Sequence, residues 1–475
     1  ITFQEWDHFK NRNIDLPKRL MNRLHGKRRM QNRINVSEHS ERIEKWREQG
    51  KLGRVIKSAL ELSSPNRLND VGTIDGEIVT GEDSIALHLR NIFEEAFTSN
   101  KTKSTKPRRC PEVTEAINIL KDENDEYKEK DVFDKITPLK IRRYILGKRK
   151  NTAPGPDGVT INSICALPVG ILDDLVETLH SIIVNLKYVS CWDEVFMITI
   201  PKDPSGLDLR RQRPISLLLI LRKLTLGVVA NVLSELVSLE DEQYGFRKGR
   251  TTEDAVSKLI TSIAKAKSKK EKWFGLSLDL KAAFDSIPLC FIQVAGESLG
   301  IPSSIMKWFI KYQKTAKVEI SIKQNKGTGH IFTPTQGVPQ GSVEGPIIFI
   351  WVLNILLTML RLDSEKRGVE STLNGLNLKY SAFADDIILT SNSLQDLTKM
   401  FLVVQKFLKA TGMILSAKKS IFSFNEKGRS KTNARNINLG LINEMTWIDS
   451  SSSFRYLGHQ INPEGSTIFE WNTAL

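Results

Sequence analysis

Two groups of carboxylates, far apart in the chain, carry the residue types that could do chemistry. The first lies in Ser277-Leu278-Asp279-Leu280-Lys281-Ala282-Ala283-Phe284-Asp285, the second in Ala382-Phe383-Ala384-Asp385-Asp386-Ile387-Ile388-Leu389. In each, an apolar run leads straight into acids. Two carboxylates about 4 Å apart repel by roughly 4 kcal/mol at an effective dielectric near 20, and burial adds a desolvation cost. A divalent cation offsets both, and hard oxygen ligands at two strand ends suit Mg²⁺ at a phosphoryl-transfer site.

The elements that would position these acids can be read locally. Phe274, Leu276 and Leu278 alternate, which predicts a strand over Trp273–Asp279. Ala282-Ala283-Phe284 is then expected to turn the chain into a helix. Lys379–Thr390 reads as strand, Asp-Asp turn, strand, a hairpin with two carboxylates at its tip. Between them come a helix over 301–316, a strand pair over 317–334, and the loop Gln336-Gly337-Val338-Pro339-Gln340-Gly341-Ser342, which opens an apolar helix over 346–361. Upstream, a strand at 195–200 ends in Pro201-Lys202. Arg210-Arg211-Gln212-Arg213-Pro214-Ile215-Ser216 precedes a helix from about 217 to 237, and the basic loop Gln243–Arg250 leads into a helix at 252–267. Downstream, an amphipathic helix covers 394–411, and Arg455-Tyr456-Leu457-Gly458 falls in a second hairpin.

The N-terminal third is different. Residues 1–60 read as basic helix, 61–80 as loops and short turns, and 83–97 as an amphipathic helix. The Lys-, Thr- and Pro-rich stretch 99–111 reads as a linker, followed by helical patterns at 112–130 and 138–149. Asn151–Gly158, with two prolines and two glycines, is a rigid bend.

At 475 residues and 40% hydrophobic, the chain can bury a large core divided into subdomains. A net charge of +14 and a pI near 9.4 call for a polyanionic partner. More than half of that excess sits in residues 1–60, where 15 Lys and Arg face 7 Asp and Glu. The run is either a nucleic-acid contact or simply a solvated basic helix. Cys110, Cys165, Cys191 and Cys290 are too scattered for a zinc knuckle or a disulfide framework. Ile347–Leu360 is short for a bilayer span and contains Asn354 and Thr358, so it is expected to be a core helix. The chain begins at Ile1 with no secretory leader, as expected of a fragment or processed piece.

Seven motifs follow one another: Ala153–Gly158, Arg213-Pro214-Ile215-Ser216, Tyr244-Gly245-Phe246-Arg247, Asp279–Asp285, Gly337–Ser342, Phe383-Ala384-Asp385-Asp386 and Tyr456-Leu457-Gly458. In this order they closely resemble the reverse transcriptases of non-LTR (LINE-type) retrotransposons, over residues 138 to 460. The form Gly341–Pro346 looks more like jockey-type elements than group II intron proteins, which come second. The resemblance implies an α+β right-hand polymerase. Its parts would be a basic N-terminal extension (1–135), fingers (136–275), a palm with an antiparallel sheet (276–452), and a primer-grip hairpin opening a truncated thumb (453–475). Two departures stand out: Glu344 where the family usually has Leu, an acid beside the nucleotide loop, and Ser416 where an Asn often precedes the pair matched by Lys419-Ser420.

The reaction implied is attack of a primer 3′-hydroxyl on the α-phosphate of a dNTP, with two Mg²⁺ ions (Mn²⁺ as substitute) at the site. By resemblance, Asp279 and Asp385 bridge the ions, the Leu280 carbonyl adds a ligand, and Asp386 stands near. Lys202 and Arg213 reach the triphosphate, Phe284 is the steric gate against a ribose 2′-hydroxyl, and Gln340 and Gly341 line the nascent pair. Lys419 protonates the leaving pyrophosphate. Arg247, Lys248 and Arg250 contact template, while Tyr456, Leu457 and Gly458 hold the primer end. Phe284 can also be a core residue, and Asp285 reads equally as a helix cap, a fold support or a site residue. The implied partners are element RNA, a DNA primer at the target site and dNTPs, without a membrane, in a ribonucleoprotein of nucleus and cytoplasm. The alternative is a non-catalytic RNA-binding remnant.

Overall fold

The computed structural model describes residues 71–98, 110–149, 152–202, 207–322, 327–368, 372–373, 376–428 and 440–465. The basic run 1–60 and most of the linker lie outside them. The architecture is mixed α+β. Its centre is a five-stranded sheet in the order Tyr380–Phe383, Asp386–Ser391, Phe274–Leu278, Ile421–Phe424, Thr446–Ile448. All neighbours are antiparallel except the last pair, which is parallel. Phe274, Leu276 and Leu278 are buried, as their alternation predicts.

One helix, Glu344–Lys366, runs through the interior. Its residues from Glu344 to Leu360 are mostly apolar and, apart from Pro346, buried, the signature of a helix with no solvent face. Helices Pro111–Glu123, Ile220–Leu236, Leu289–Ser298 and Leu394–Thr411 pack against it. It is long and apolar enough to cross a bilayer, but most of it is buried by its neighbours.

A second sheet has the order Gln212–Leu218, Glu194–Pro201, Lys317–Ile320, Ile331–Phe332. It is covered by helix Glu82–Phe97, whose Ile85, Leu89, Phe93 and Phe97 share a core with Val195, Met197 and Val318. A third, smaller core joins helix Thr252–Ser268 to Trp273, Ile388, Phe454 and Tyr456.

Several local expectations are corrected. Residues 212–218 form a strand, and the helix starts only at Ile220. Pro214 is tolerated there because the strand is at the sheet edge, where a missing N–H breaks no ladder. The chain after Asp279 does not enter a helix. Leu280–Lys281 pairs with Ile414–Leu415, a turn follows, and the helix begins at Leu289 behind Pro288. Val71–Thr80 is a hairpin rather than loops, closed by Asp75-Gly76, both at positive φ. The helical stretch 112–130 ends at Glu123, and a separate short helix covers Glu129–Phe133. The four cysteines are all free.

Candidate active site

The two acid groups end neighbouring strands. Ile387 lies opposite Leu278 in the antiparallel register, so one step outward Asp386 comes opposite Asp279. Adjacent strands lie about 4.8 Å apart, so acids more than a hundred positions apart in the chain become neighbours. Asp385 is at the hairpin tip, where Ala384 takes φ 53°, a left-handed turn unusual for a residue with a Cβ. Burial raises the Asp385 carboxyl above its ordinary value, and the charge of Asp279 adds to the rise. Asp386 is pushed up to about 6 by partial burial, then by Asp385 and Asp279. Like charges held together in this way disfavour ionisation. The Asp279 backbone is fixed from both sides. Its N–H donates to Ser420 Oγ (3.1 Å) and its carbonyl accepts from Ser416 N–H (2.8 Å).

Cations face the acids. Partial burial and the charges of Lys419 and Arg213 lower the Lys202 ammonium from its ordinary value, while Asp285 and Asp279 hold it up. Those five residues therefore share one electrostatic neighbourhood. Lys202 follows the strand Glu194–Pro201, Arg213 stands opposite Ile200, and Lys419 ends a 3₁₀ turn at the surface.

Phe284 is half-buried. Its ring stacks on Phe349 (4.4 Å, 22°) and meets Phe246 edge-on (6.4 Å, 86°), so a core role and an exposed edge coexist. Asp285 is only 5% exposed and caps no helix. It accepts a hydrogen bond from Gln340 Nε2 (2.8 Å). Burial pushes its carboxyl up to about 7, opposed by Gln340 and Lys202. Gln340 also accepts from Ser216 N–H (2.6 Å). Gly341 has φ 109°, and a Cβ there would stand 2.6 Å from the Ser216 carbonyl. The close approach that requires this glycine is to the edge strand.

The remaining expected site residues have these surroundings. Arg247 Nη1 donates to the Glu240 and Gln243 carbonyls (2.7 and 3.1 Å), closing its own loop. Arg250 pairs with Asp241 (2.8 Å) and lies over the Tyr244 ring, while Lys248 is exposed. Tyr456 is 2% exposed and belongs to the small core, and Leu457-Gly458 forms the hairpin tip at positive φ. The Leu280 side chain is buried. Glu344 is fully buried; burial raises its carboxyl and Arg222 opposes the rise. Sequence reasoning missed Ser420 and Gln243, which hold the backbones of the two acid groups; a polar residue beside each motif was the only local signal.

Acids at adjoining strand ends, faced by lysines and an arginine, form an arrangement suited to nucleotidyl transfer. Residues 200–461 match the reverse transcriptase (RNA-dependent DNA polymerase) family, and the chain belongs to it. Among the relatives is a Retrovirus-related Pol polyprotein from type-1 retrotransposable element R2 of Popillia japonica. It is 28% identical over 325 residues, covering 67% of this chain and 44% of that protein. The probable RNA-directed DNA polymerase from transposon BS of Drosophila melanogaster is 28% identical over 308 residues (58% and 30%). The RNA-directed DNA polymerase from mobile element jockey of Drosophila funebris is 25% identical over 267 (55% and 28%). These relatives bear out the non-LTR resemblance, and the chain spans less than half the length of each.

Reverse transcriptases in general use divalent metal ions. Among the described residues, no three His, Cys, Asp or Glu side chains close into a protein-only metal cage. The donor set still fits Mg²⁺, which takes one or two carboxylates and leaves its other positions to water and phosphate. Burial first, and neighbouring negative charge second, raise Asp385 and Asp386, and a cation would offset both.

Proposed function

We propose that this chain is the RNA-directed DNA polymerase portion of a non-LTR retroelement protein, copying element RNA into cDNA from a DNA primer at its target site. The observation that carries the reading is the meeting of Asp279 with Asp385 and Asp386 at one sheet end, facing Lys202, Arg213 and Lys419. On this reading the five-stranded sheet is the palm, which begins with its central strand at Phe274 rather than at 276. The four-stranded sheet is the base of the fingers, and it takes strands from both sides of Asp279. Residues 453–475 open the thumb with the primer-grip hairpin, and residues 1–135 are a basic extension.

Two bound Mg²⁺ ions would supply Lewis-acid activation of the primer hydroxyl and neutralise charge on the departing pyrophosphate. Asp279, Asp385 and the Leu280 carbonyl would hold them, with Asp386 alongside. Lys202 offers a compact charge to the triphosphate and Arg213 a planar fork. Phe284, braced by Phe349, would clash with a ribose 2′-hydroxyl and so favour dNTP. Gln340, fixed by Asp285 and Ser216, borders the nascent pair. Lys419 carries a proton at Nζ for the leaving oxygen. Template RNA is read by shape, with Lys248 as the exposed contact of its loop, and the Leu457-Gly458 tip meets the primer end. The cationic residues 1–60 add salt-sensitive affinity.

The test is dNTP incorporation on a primed RNA template in Mg²⁺. The chain should extend the primer, and Asp385→Ala should abolish extension while leaving RNA retention on filters unchanged. Extension by Asp385→Ala would refute the site assignment. RNA retention without extension by the unaltered chain would favour the non-catalytic reading.

A further inference from the structure

We infer that Gln243, which touches none of the reacting groups, is the positioning residue that sets the Ala384–Asp385 turn; the inference rests on Asp385 being a metal-holding acid. Gln243 is 0% exposed. Its Oε1 accepts hydrogen bonds from Ala384 N–H (3.0 Å) and from Gly245 N–H (2.9 Å). Both partners are donors, so the carbonyl end of the amide must face them. The backbone prepares this contact. Ala382 N–H donates to the Glu242 carbonyl (2.8 Å), and Tyr244 N–H donates to the Ala382 carbonyl (2.8 Å). Residues 242–244 thus run beside the hairpin strand as an added edge, with the Gln243 side chain as its outermost rung.

The turn needs that rung. Ala384 holds a left-handed φ of 53° and is 5% exposed, so without an acceptor its N–H would be strained and orphaned together. The other end of the amide, Nε2, is buried without a hydrogen-bond partner. That is unfavourable, and a side chain present only to fill space would not incur it. The carbonyl is therefore the working atom. Because Asp385 follows Ala384, the dihedrals of Ala384 aim the Asp385 carboxylate.

Gln243→Met keeps length and apolar volume but removes the acceptor. Two readouts apply to the 475-residue chain: Mn²⁺ affinity by electron paramagnetic resonance without nucleic acid, and steady-state primer extension. Gln243→Met should weaken Mn²⁺ binding about fivefold or more and lower kcat about tenfold or more, with the KM for dNTP within twofold. Adding Ala384→Gly, which adopts left-handed φ freely, should restore most of both losses. Should Gln243→Met not fold, Gln243→Asn, whose carbonyl falls one bond short, carries the same expectation. Wild-type Mn²⁺ affinity and kcat in a folded Gln243→Met, or losses that Ala384→Gly does not relieve, would overturn the inference. A wild-type chain that binds Mn²⁺ but never extends removes the polymerase reading and leaves the Mn²⁺ comparison to decide this one. A chain that binds no Mn²⁺ overturns both.

Discussion

Replacing Gly245 with alanine would drive a methyl group into the Ala384–Asp385 turn. An added Cβ would lie almost on the Ala384 nitrogen and 3.0 Å from Ala384 Cα and Phe383 C, where ordinary contact starts at 3.4 Å. These are backbone atoms, so no rotamer change makes room. Gly245 has no positive φ, which leaves space as the whole reason for glycine here. To admit the methyl, the 242–245 segment and the hairpin must part by about 1 Å, at an overpacking cost of about 1–3 kcal/mol. A displacement of about 1 Å at a reacting group can cost about 100-fold in rate. Single-turnover primer extension by Gly245→Ala should therefore fall about 100-fold while the chain still melts cooperatively. Gly170→Ala is the control. Gly170 sits on an exposed helical turn with nothing within 4 Å, so alanine should add up to about 1 kcal/mol of stability and leave extension unchanged. A folded Gly245→Ala that extends within threefold of the parent would refute the packing argument.

Other expectations follow from the same geometry. Asp285 has a folded-state carboxyl pKa of about 7, above its ordinary 3.8, so its contribution to stability is full below about pH 4 and is lost as pH rises through 7. Asp285→Asn should flatten the decline in melting temperature between pH 4 and 8 and be the more stable chain at pH 8; identical profiles would contradict this. Phe284→Val should raise rNTP over dNTP incorporation. Loss of the Phe349 stack should also cost about 2 kcal/mol in denaturant melts. An unchanged nucleotide ratio would remove the gate role.

What could be read from sequence was local. Alternation at Phe274, Leu276 and Leu278, the hairpin around Asp385, and the all-round apolarity of Ile347–Leu360 each follow from period and composition, and each is found. What failed depended on distant partners. Gln212–Leu218 carries an arginine and a proline that argue against a strand, yet pairing along Glu194–Pro201 prevails over propensity. The helix expected after Ala282 loses to pairing with Ile414–Leu415. The first turn of an apolar helix does not announce that Glu344 is buried. Nothing near Gln243 encodes its bond to Ala384, 141 positions away.

The central claim is that Asp279 and Asp385 hold one shared cation site. Fe²⁺ bound in place of Mg²⁺, with ascorbate and peroxide, cleaves backbone close to the metal. Fragments should appear from cuts beside both 279 and 385, and excess Mg²⁺ should suppress both together. Cutting at one position without the other, or cuts that Mg²⁺ leaves untouched, would contradict the account.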